Sequence, residues 1–373
     1  MRLIGIIFLL LSFHFNFSQE EILKDPIASV IAENAVGYLN NFQFDEFDVE
    51  VEKLYTSFSL HPAYPLLKSM SLYYQSLINM KHQAEDTVYI KLLDQVVDYS
   101  EEMLVENENS KEGLFFALTG YGYRAQYYSD NGAFFKAVGE AKKAYKYYKK
   151  GRDYKDELNE LYFMTGLFNY LIVQYPENHP MVKPLMGFFQ KGDKQLGLEE
   201  LDYGSKYAVF TKASCFSYSA YLNTKFEANY EKGVEYTRDF YLMYPLNTLN
   251  KVNYIMALLL NGNYAKSLNL IESLKKEDNK FYLIAYHLFE GWYTSHNSHD
   301  IDKAMMHLDI VELMRSENKD ITGDIYALSC YKKAQLYSSM MMNDQAKIYY
   351  KKALANSSFT VVKDAYKVFQ QNK

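Results

Sequence analysis

The chain has little of what marks most catalytic and nucleic-acid-binding proteins. It holds two cysteines, Cys215 and Cys330, too far apart for the C-x-x-C pairs of a structural zinc site. In an array of stacked units such distant positions do not touch, so both are expected to be small buried hydrophobes rather than a disulfide. There are only seven prolines, which leaves long stretches free to be helical. A net charge of −6 excludes the strong basic excess of a general nucleic-acid binder, though not a local basic patch. Beyond the N-terminus no apolar run nears the ~20 residues that span a bilayer. G-x-S-x-G, P-loop and dinucleotide fingerprints are absent, and Gly120-x-Gly122 lies inside a helical pattern where it cannot cradle phosphate. No period-2 alternation persists, and no Gly/Ser linker or low-complexity tract interrupts the chain.

What the chain has in excess is tyrosine. Beside a single tryptophan, Trp292, there are 37 Tyr and 24 Phe in a hydrophobic content of 49%. That content is globular, and rings at this density need extensive packing surface. Nearly every stretch reads as helix, and the prolines fall where helices start or stop.

The N-terminus reads as an export signal over residues 1–18: Arg2 precedes the apolar run Leu3–Phe13, and cleavage is expected after Ser18 or Gln19. No cysteine near that point offers a site for a lipid. The mature chain is then expected without a transmembrane span, in the periplasm, at the outer-membrane periphery, or secreted.

The helical stretches group into eight pairs. They run 27–39 with 45–60, 65–80 with 84–106, 111–128 with 133–150, and 157–174 with 191–207. The series continues with 206–223 and 230–244, 250–261 and 264–275, 280–293 and 300–315, and 324–341 and 344–355. A capping helix is expected over 361–371. Residues 19–110 form divergent pairs, and 111–373 forms more regular repeats continuous with them. Small residues mark the expected closest approaches: Gly120, Gly166, Gly291 and Ala334 on first helices, and Ala265, Ala304 and Ala346 on second helices. The last unit is the clearest, with Ala334, Tyr337, Ala346, Tyr350 and Ala353 on helical offsets.

On these positions the chain resembles the tetratricopeptide repeat superfamily. The final unit matches five signature positions, and the third and fourth match three or four on their first helices. Cys330 stands where the superfamily often has Trp, and Lys333 where it has Leu; most units exceed its 34-residue period. One stretch, Val173–Gly197, interrupts the fourth pair. Its Gly187-Phe188, Gly192-Asp193 and Gly197-Leu198 resemble a divergent tetratricopeptide family that includes fungal inclusion-body clearance proteins and animal relatives. The resemblance implies an all-α, right-handed superhelical solenoid of seven to eight antiparallel helix pairs, ending in a cap.

It also implies that first helices line a concave groove. Residues just after each crossing Gly or Ala, and one turn away, would then face it: Tyr121, Arg124, Leu167, Tyr170, Trp292, Tyr331 and Gln335. The set is aromatic and largely uncharged, which suits a hydrophobic or extended peptide. The expected function is therefore a non-enzymatic protein-interaction scaffold of the bacterial cell envelope, without cofactor, catalytic residue or metal. One alternative is a glycan- or nutrient-binding component of an outer-membrane uptake system. The other is a metal-dependent hydrolase using four histidines between His287 and His307, among them the H-x-x-H pair His296 and His299 beside Asp300. A zinc helix normally has the i, i+4 spacing with an intervening Glu, absent here. Glu20-Glu21, Glu101-Glu102 and Glu199-Glu200 read as solvated helix faces. So does the basic run Lys136, Lys142, Lys143, Lys146, Lys149, Lys150 and Arg152, whose charges suit a helix C-terminus but also an anionic partner or lipid surface.

Overall fold

The computed structural model describes residues 22–79, 87–297, 300–315 and 323–371. The expected leader at 1–18, the Glu20-Glu21 pair and His299 lie outside the described residues. Among the described residues the regular secondary structure is helical throughout. The α-helices are α1 (Pro26–Asn40), α2 (Phe44–Ser57), α3 (Ala63–Ile78), α4 (Thr87–Glu106), α5 (Lys111–Asp130), α6 (Phe134–Gly151), α7 (Leu161–Asn178) and α8 (Lys194–Tyr207). They continue as α9 (Lys212–Lys225), α10 (Tyr230–Met243), α11 (Thr248–Leu260), α12 (Tyr264–Leu274), α13 (Lys280–Asn297), α14 (Ile301–Arg315), α15 (Gly323–Ser339), α16 (Asn343–Asn356) and α17 (Thr360–Gln371). Each packs chiefly on its neighbours in sequence, the contact pattern of an all-α solenoid.

Four hairpins turn in the same way. α1 ends with Gln43 N–H bonded to Tyr38 O at 3.0 Å and Phe42 N–H to Leu39 O at 3.1 Å. The same pair of bonds closes α5 at Gly132 and Ala133, α11 at Gly262 and Asn263, and α15 at Met341 and Met342. These are Schellman caps, which need a left-handed residue at the turn. Gly132 and Gly262 meet that need at φ 71° and 73°, whereas Phe42 and Met341 hold φ near 60° against their Cβ. Met341 is also almost wholly exposed. Met341→Gly should therefore raise the unfolding free energy by about 0.5 kcal/mol, the relief of left-handed strain slightly exceeding glycine's extra chain entropy. Paired thermal melts read this; a lower melting temperature in the glycine variant would contradict it.

The insertion explains its own glycines and corrects one boundary. α7 does not stop at residue 174: it carries Pro176 in its last turn and reaches Asn178. A 3₁₀ segment, Pro180–Phe188, follows. Gly192 then lies against α7, where a Cβ would meet Asn169 O at 2.6 Å. Asp193 caps α8 by accepting from Leu196 N–H at 3.1 Å. Gly197 meets Gly166 backbone to backbone, so α7 and α8 touch at their closest point. Gly187 has open space around it.

The small residues on second helices hold in part. Ala304 and Ala346 are fully buried, and Ala304 packs under Gly291. Ala265 is exposed at the start of α12; Ser267, half a turn on, takes the buried position. Gly120 points at Val96 and Val97 of the preceding helix α4, not at its partner α6. Cys215 and Cys330 are both buried and unbonded.

Long-range contacts fold the array back on itself. Asn247 Nδ2 donates to Asn40 O at 2.8 Å, and Asn279 Nδ2 to Ile78 O at 2.7 Å. Lys225 Nζ bonds both Asp324 oxygens, at 2.7 and 2.9 Å, and Thr360 Oγ1 donates to Phe226 O at 2.7 Å. These ties join the beginning of the chain to α11–α13, and α9 to α15–α17. They curl the solenoid around an internal space.

Candidate functional site

The internal space is a cavity of about 1090 Å³, lined by α3, α5, α6, α7, α9 and α11 and closed by residues from α13 and α15–α17. Its position follows from packing. First helices bury one face against second helices, and the opposite face has no further layer to cover it. On α9 that uncovered face is Ser214, Ser217, Tyr218, Tyr221 and Lys225, at steps of three or four residues, while Cys215, Ser219 and Leu222 point into the protein. α5 contributes Gly122, Tyr123, Gln126 and Ser129; α3 contributes Met70, Tyr73 and Tyr74.

A buried Glu160 fixes where α9 begins. Its carboxylate accepts from the backbone N–H groups of Val209 (2.9 Å), Phe210 (3.1 Å) and Thr211 (2.7 Å), and from Thr211 Oγ1 (2.8 Å). An anion at a helix N-terminus satisfies groups that otherwise have no partner.

The wall is rich in hydroxyls and carries Asp130, Glu177, Lys225, Asp324 and Lys363 as its acidic and basic side chains. Tyr218 Oη donates to Gln126 Oε1 at 3.0 Å, and Tyr175 bonds Ser129 Oγ at 3.2 Å. Burial pushes the Tyr123 phenol up to about 12, eased by the Ser214 hydrogen bond, and raises Tyr73, Tyr74 and Tyr218 as well. All four phenols therefore stay protonated at neutral pH and remain hydrogen-bond donors. Tyr221 leaves 42% of its surface accessible although protein surrounds it, so its ring borders open space rather than packed core. The Lys225–Asp324 pair sits at one side, with Ser357 Oγ donating to Asp324 at 2.6 Å. The wall thus offers aromatic faces and hydroxyls with charged side chains of both signs set among them.

Of the expected groove residues, Leu167 lines this cavity. The expectation that Tyr121, Tyr170 and Trp292 lie open to solvent is corrected: all three are buried, as is Tyr331. Tyr121 stacks on Tyr147 at 5.9 Å and donates to Glu101 Oε1 at 3.0 Å, on the α4–α6 side of α5. Arg124 forms ion pairs of 3.1 Å with Asp94 and with Glu140 there. Tyr170 is closed over by α8 and hydrogen-bonds Glu227. Trp292, Tyr331 and Gln335 do come together: the two rings meet edge-on at 6.0 Å and Gln335 donates to Tyr331 Oη at 2.8 Å, away from the residues lining the cavity. The physical reason is that a crossing glycine does not always face the same neighbour. Gly166 faces α8, so the next residue, about 100° round the helix, reaches the cavity; Gly120 faces α4, so Tyr121 stays off the cavity, which α5 lines instead with Leu118, Thr119, Gly122 and Tyr123. The missed tyrosines of α9 did leave a signal, the Ser/Tyr/Lys stripe beside an apolar one.

The histidines do not assemble a metal centre among the described residues, where no three His, Cys, Asp or Glu side chains gather. His287 and His307 join α13 to α14 by one Nδ1···Nδ1 hydrogen bond of 2.9 Å, and burial lowers both below the usual imidazole value. His296 stacks on Tyr264 at 3.7 Å. No helix among the described residues is long and apolar enough to cross a membrane.

Fold and cavity together define an all-α helical-repeat protein whose array curls around a partly open cavity. No family model matches the chain, and no curated protein matches its sequence. Among solved structures it is similar to that titled "Crystal Structure of the Yeast Tom70", with 11% identity over 92% of this chain and 82% of that one and a TM-score of 0.37. A likeness of that degree does not bear on function.

Proposed function

We propose that this protein is a non-enzymatic interaction module of the cell envelope that holds an extended segment of a partner protein in its central cavity. The cavity carries this reading. At about 1090 Å³ it exceeds the ~300–1,000 Å³ typical of small-molecule pockets. Its tyrosines give large rigid contact surfaces and donors at little conformational cost, the usual make-up of peptide-binding anchors. Hydroxyls and amides along the wall complement a peptide backbone, and side chains of both charge signs stand among them. Placement in the envelope is supported by the leader pattern of residues 1–18.

Filling the cavity tests the idea. Ser217 is half-buried and faces the space. Ser217→Trp should leave the melting temperature nearly unchanged and cut partner recovery at least tenfold in crosslinking of native envelopes read by mass spectrometry. Ser217→Ala should recover the wild-type partners. Recovery of the same partners by both variants would sink the proposal. A glycan ligand in the same aromatic cavity would show instead as array binding lost in Ser217→Trp, with no recurrent protein partner.

A further inference from the structure

We propose that the outer face of α6 and the adjoining 3₁₀ segment Pro180–Phe188 form a docking surface for an anionic phospholipid membrane. Two independent observations meet there. The first is charge. Lys142, Lys146 and Lys149 recur along one exposed face of α6, and no carboxylate pairs with any of them among the described residues. Their ammonium groups lie over rings instead: Lys142 over Phe188 at 3.9 Å, Lys146 over Tyr147 at 4.9 Å and Lys149 over Tyr145 at 5.1 Å. Their neighbours differ, since Lys143 pairs with Glu140 at 2.8 Å and Lys150 approaches Glu108 at 3.8 Å. Lys183 and Lys191, on and just after the 3₁₀ segment, are exposed as well. In a chain of net charge −6 this is a segregated cationic face.

The second observation is apolar exposure in the same place. Met181 and Phe188 each leave 57% of their surface to solvent. They are presented by a segment held firmly on α6: Gln190 N–H donates to Tyr145 Oη at 3.0 Å, Gln190 Nε2 to Tyr148 Oη at 2.9 Å, and Arg152 Nη1 to Gln190 Oε1 at 2.8 Å. A solvated helix face accounts for the lysines alone, and a nucleic acid needs only the cations. Fixed apolar tips among unpaired ammonium groups match the headgroup–acyl boundary of an anionic bilayer, where the tips enter and the cations meet lipid phosphates. Lys142, Lys146, Lys149, Met181 and Phe188 are not among the residues lining the cavity, so this inference stands apart from the peptide reading.

The test uses the full chain and sedimentation with phosphatidylcholine vesicles, with or without about one-third phosphatidylglycerol. Each lysine near such a surface contributes about fivefold. The wild type should bind anionic vesicles at least tenfold more tightly than neutral ones, with the difference shrinking as salt rises. Lys142→Glu/Lys146→Glu/Lys149→Glu should abolish that difference. Met181→Ser/Phe188→Ser, which leaves every charge in place, should weaken anionic-vesicle binding about fivefold. Because the leader is present in all variants, its own membrane affinity cancels in the comparison. Equal wild-type binding to the two vesicle types would overturn the proposal, as would a charge-reversed variant that keeps the preference. So would duplex DNA or heparin held as tightly as the vesicles while Met181→Ser/Phe188→Ser binds vesicles like the wild type.

Discussion

Gly197→Ala is expected to destabilise the folded chain by about 2 kcal/mol or more, although alanine is the better helix former by about 1 kcal/mol. The sign reverses because of what the new methyl would meet. A Cβ on Gly197 would lie 2.6 Å from Gly166 O and 2.9 Å from Tyr170 N, both backbone atoms of α7 that no rotamer change can move. α7 and α8 must separate, and overpacking of this kind costs about 1–3 kcal/mol beyond the lost propensity gain, sometimes more. Separation would also loosen Asn169 and Glu200, whose 3.1 Å hydrogen bond crosses the same interface. Gly187→Ala is the matched control: nothing lies within 4 Å, so its effect should stay within about 0.5 kcal/mol. Urea midpoints at equal slope measure both, and a Gly197→Ala midpoint at or above the wild type would show that the crossing is not closed as described.

Glu312→Ala is the second large effect, about 3 kcal/mol, and its interest is its asymmetry with Lys333→Met. Lys333 is fully buried, with Nζ 2.6 Å from Asp309 and 3.0 Å from Glu312, under the Tyr349 ring at 4.4 Å. Glu312 also accepts from Lys352 at 2.7 Å and from the Tyr326 and Tyr349 hydroxyls at 3.2 and 3.3 Å. Removing it leaves a buried ammonium facing only Asp309, whose side chain is 63% exposed and screened by water. Removing the lysine is milder: Met fills the buried site with an apolar chain of similar length, and Glu312 keeps Lys352 and partial solvation. Lys333→Met should therefore cost less than about 1 kcal/mol, and Glu312→Ala in that background should lose most of its effect. Additive single-variant losses would refute the coupling.

The same cluster sets an acid limit. Burial by itself would raise the Glu312 carboxyl; hydrogen bonds from Lys352 and Lys333 outweigh it and bring the value down to about 2, from 4.5. A depressed carboxyl stabilises the fold above its unfolded value. That contribution is present above about pH 4.5 and is lost as the pH falls toward 2. Glu312→Ala should flatten the stability profile in that window.

Much of the architecture was legible because it is written locally. Asn131-Gly132 and Asn261-Gly262 announce Schellman turns, and the helices on either side begin and end within a few residues of the expected positions. The unusual lysine at 333 was visible as a departure, and its partners Asp309 and Glu312 sit on the preceding helix α14. α7 overran because Pro176 falls in its final turn, where the one lost i→i−4 bond leaves the rest of the helix intact, and the 3₁₀ segment then takes over. The expected groove residues lie elsewhere because crossing glycines face different neighbours, so no single offset from them points inward.

Composition, turn residues and helical periodicity were enough to determine that this chain is a series of paired helices and where most of them turn, since caps and apolar stripes act over a handful of residues. They could not determine which stripe looks inward. That depends on small crossing rotations summed over many hairpins, and on ties such as Asn247 to Asn40 and Lys225 to Asp324 between positions far apart in the chain. Only those contacts curl the array around a partly open, tyrosine-lined cavity.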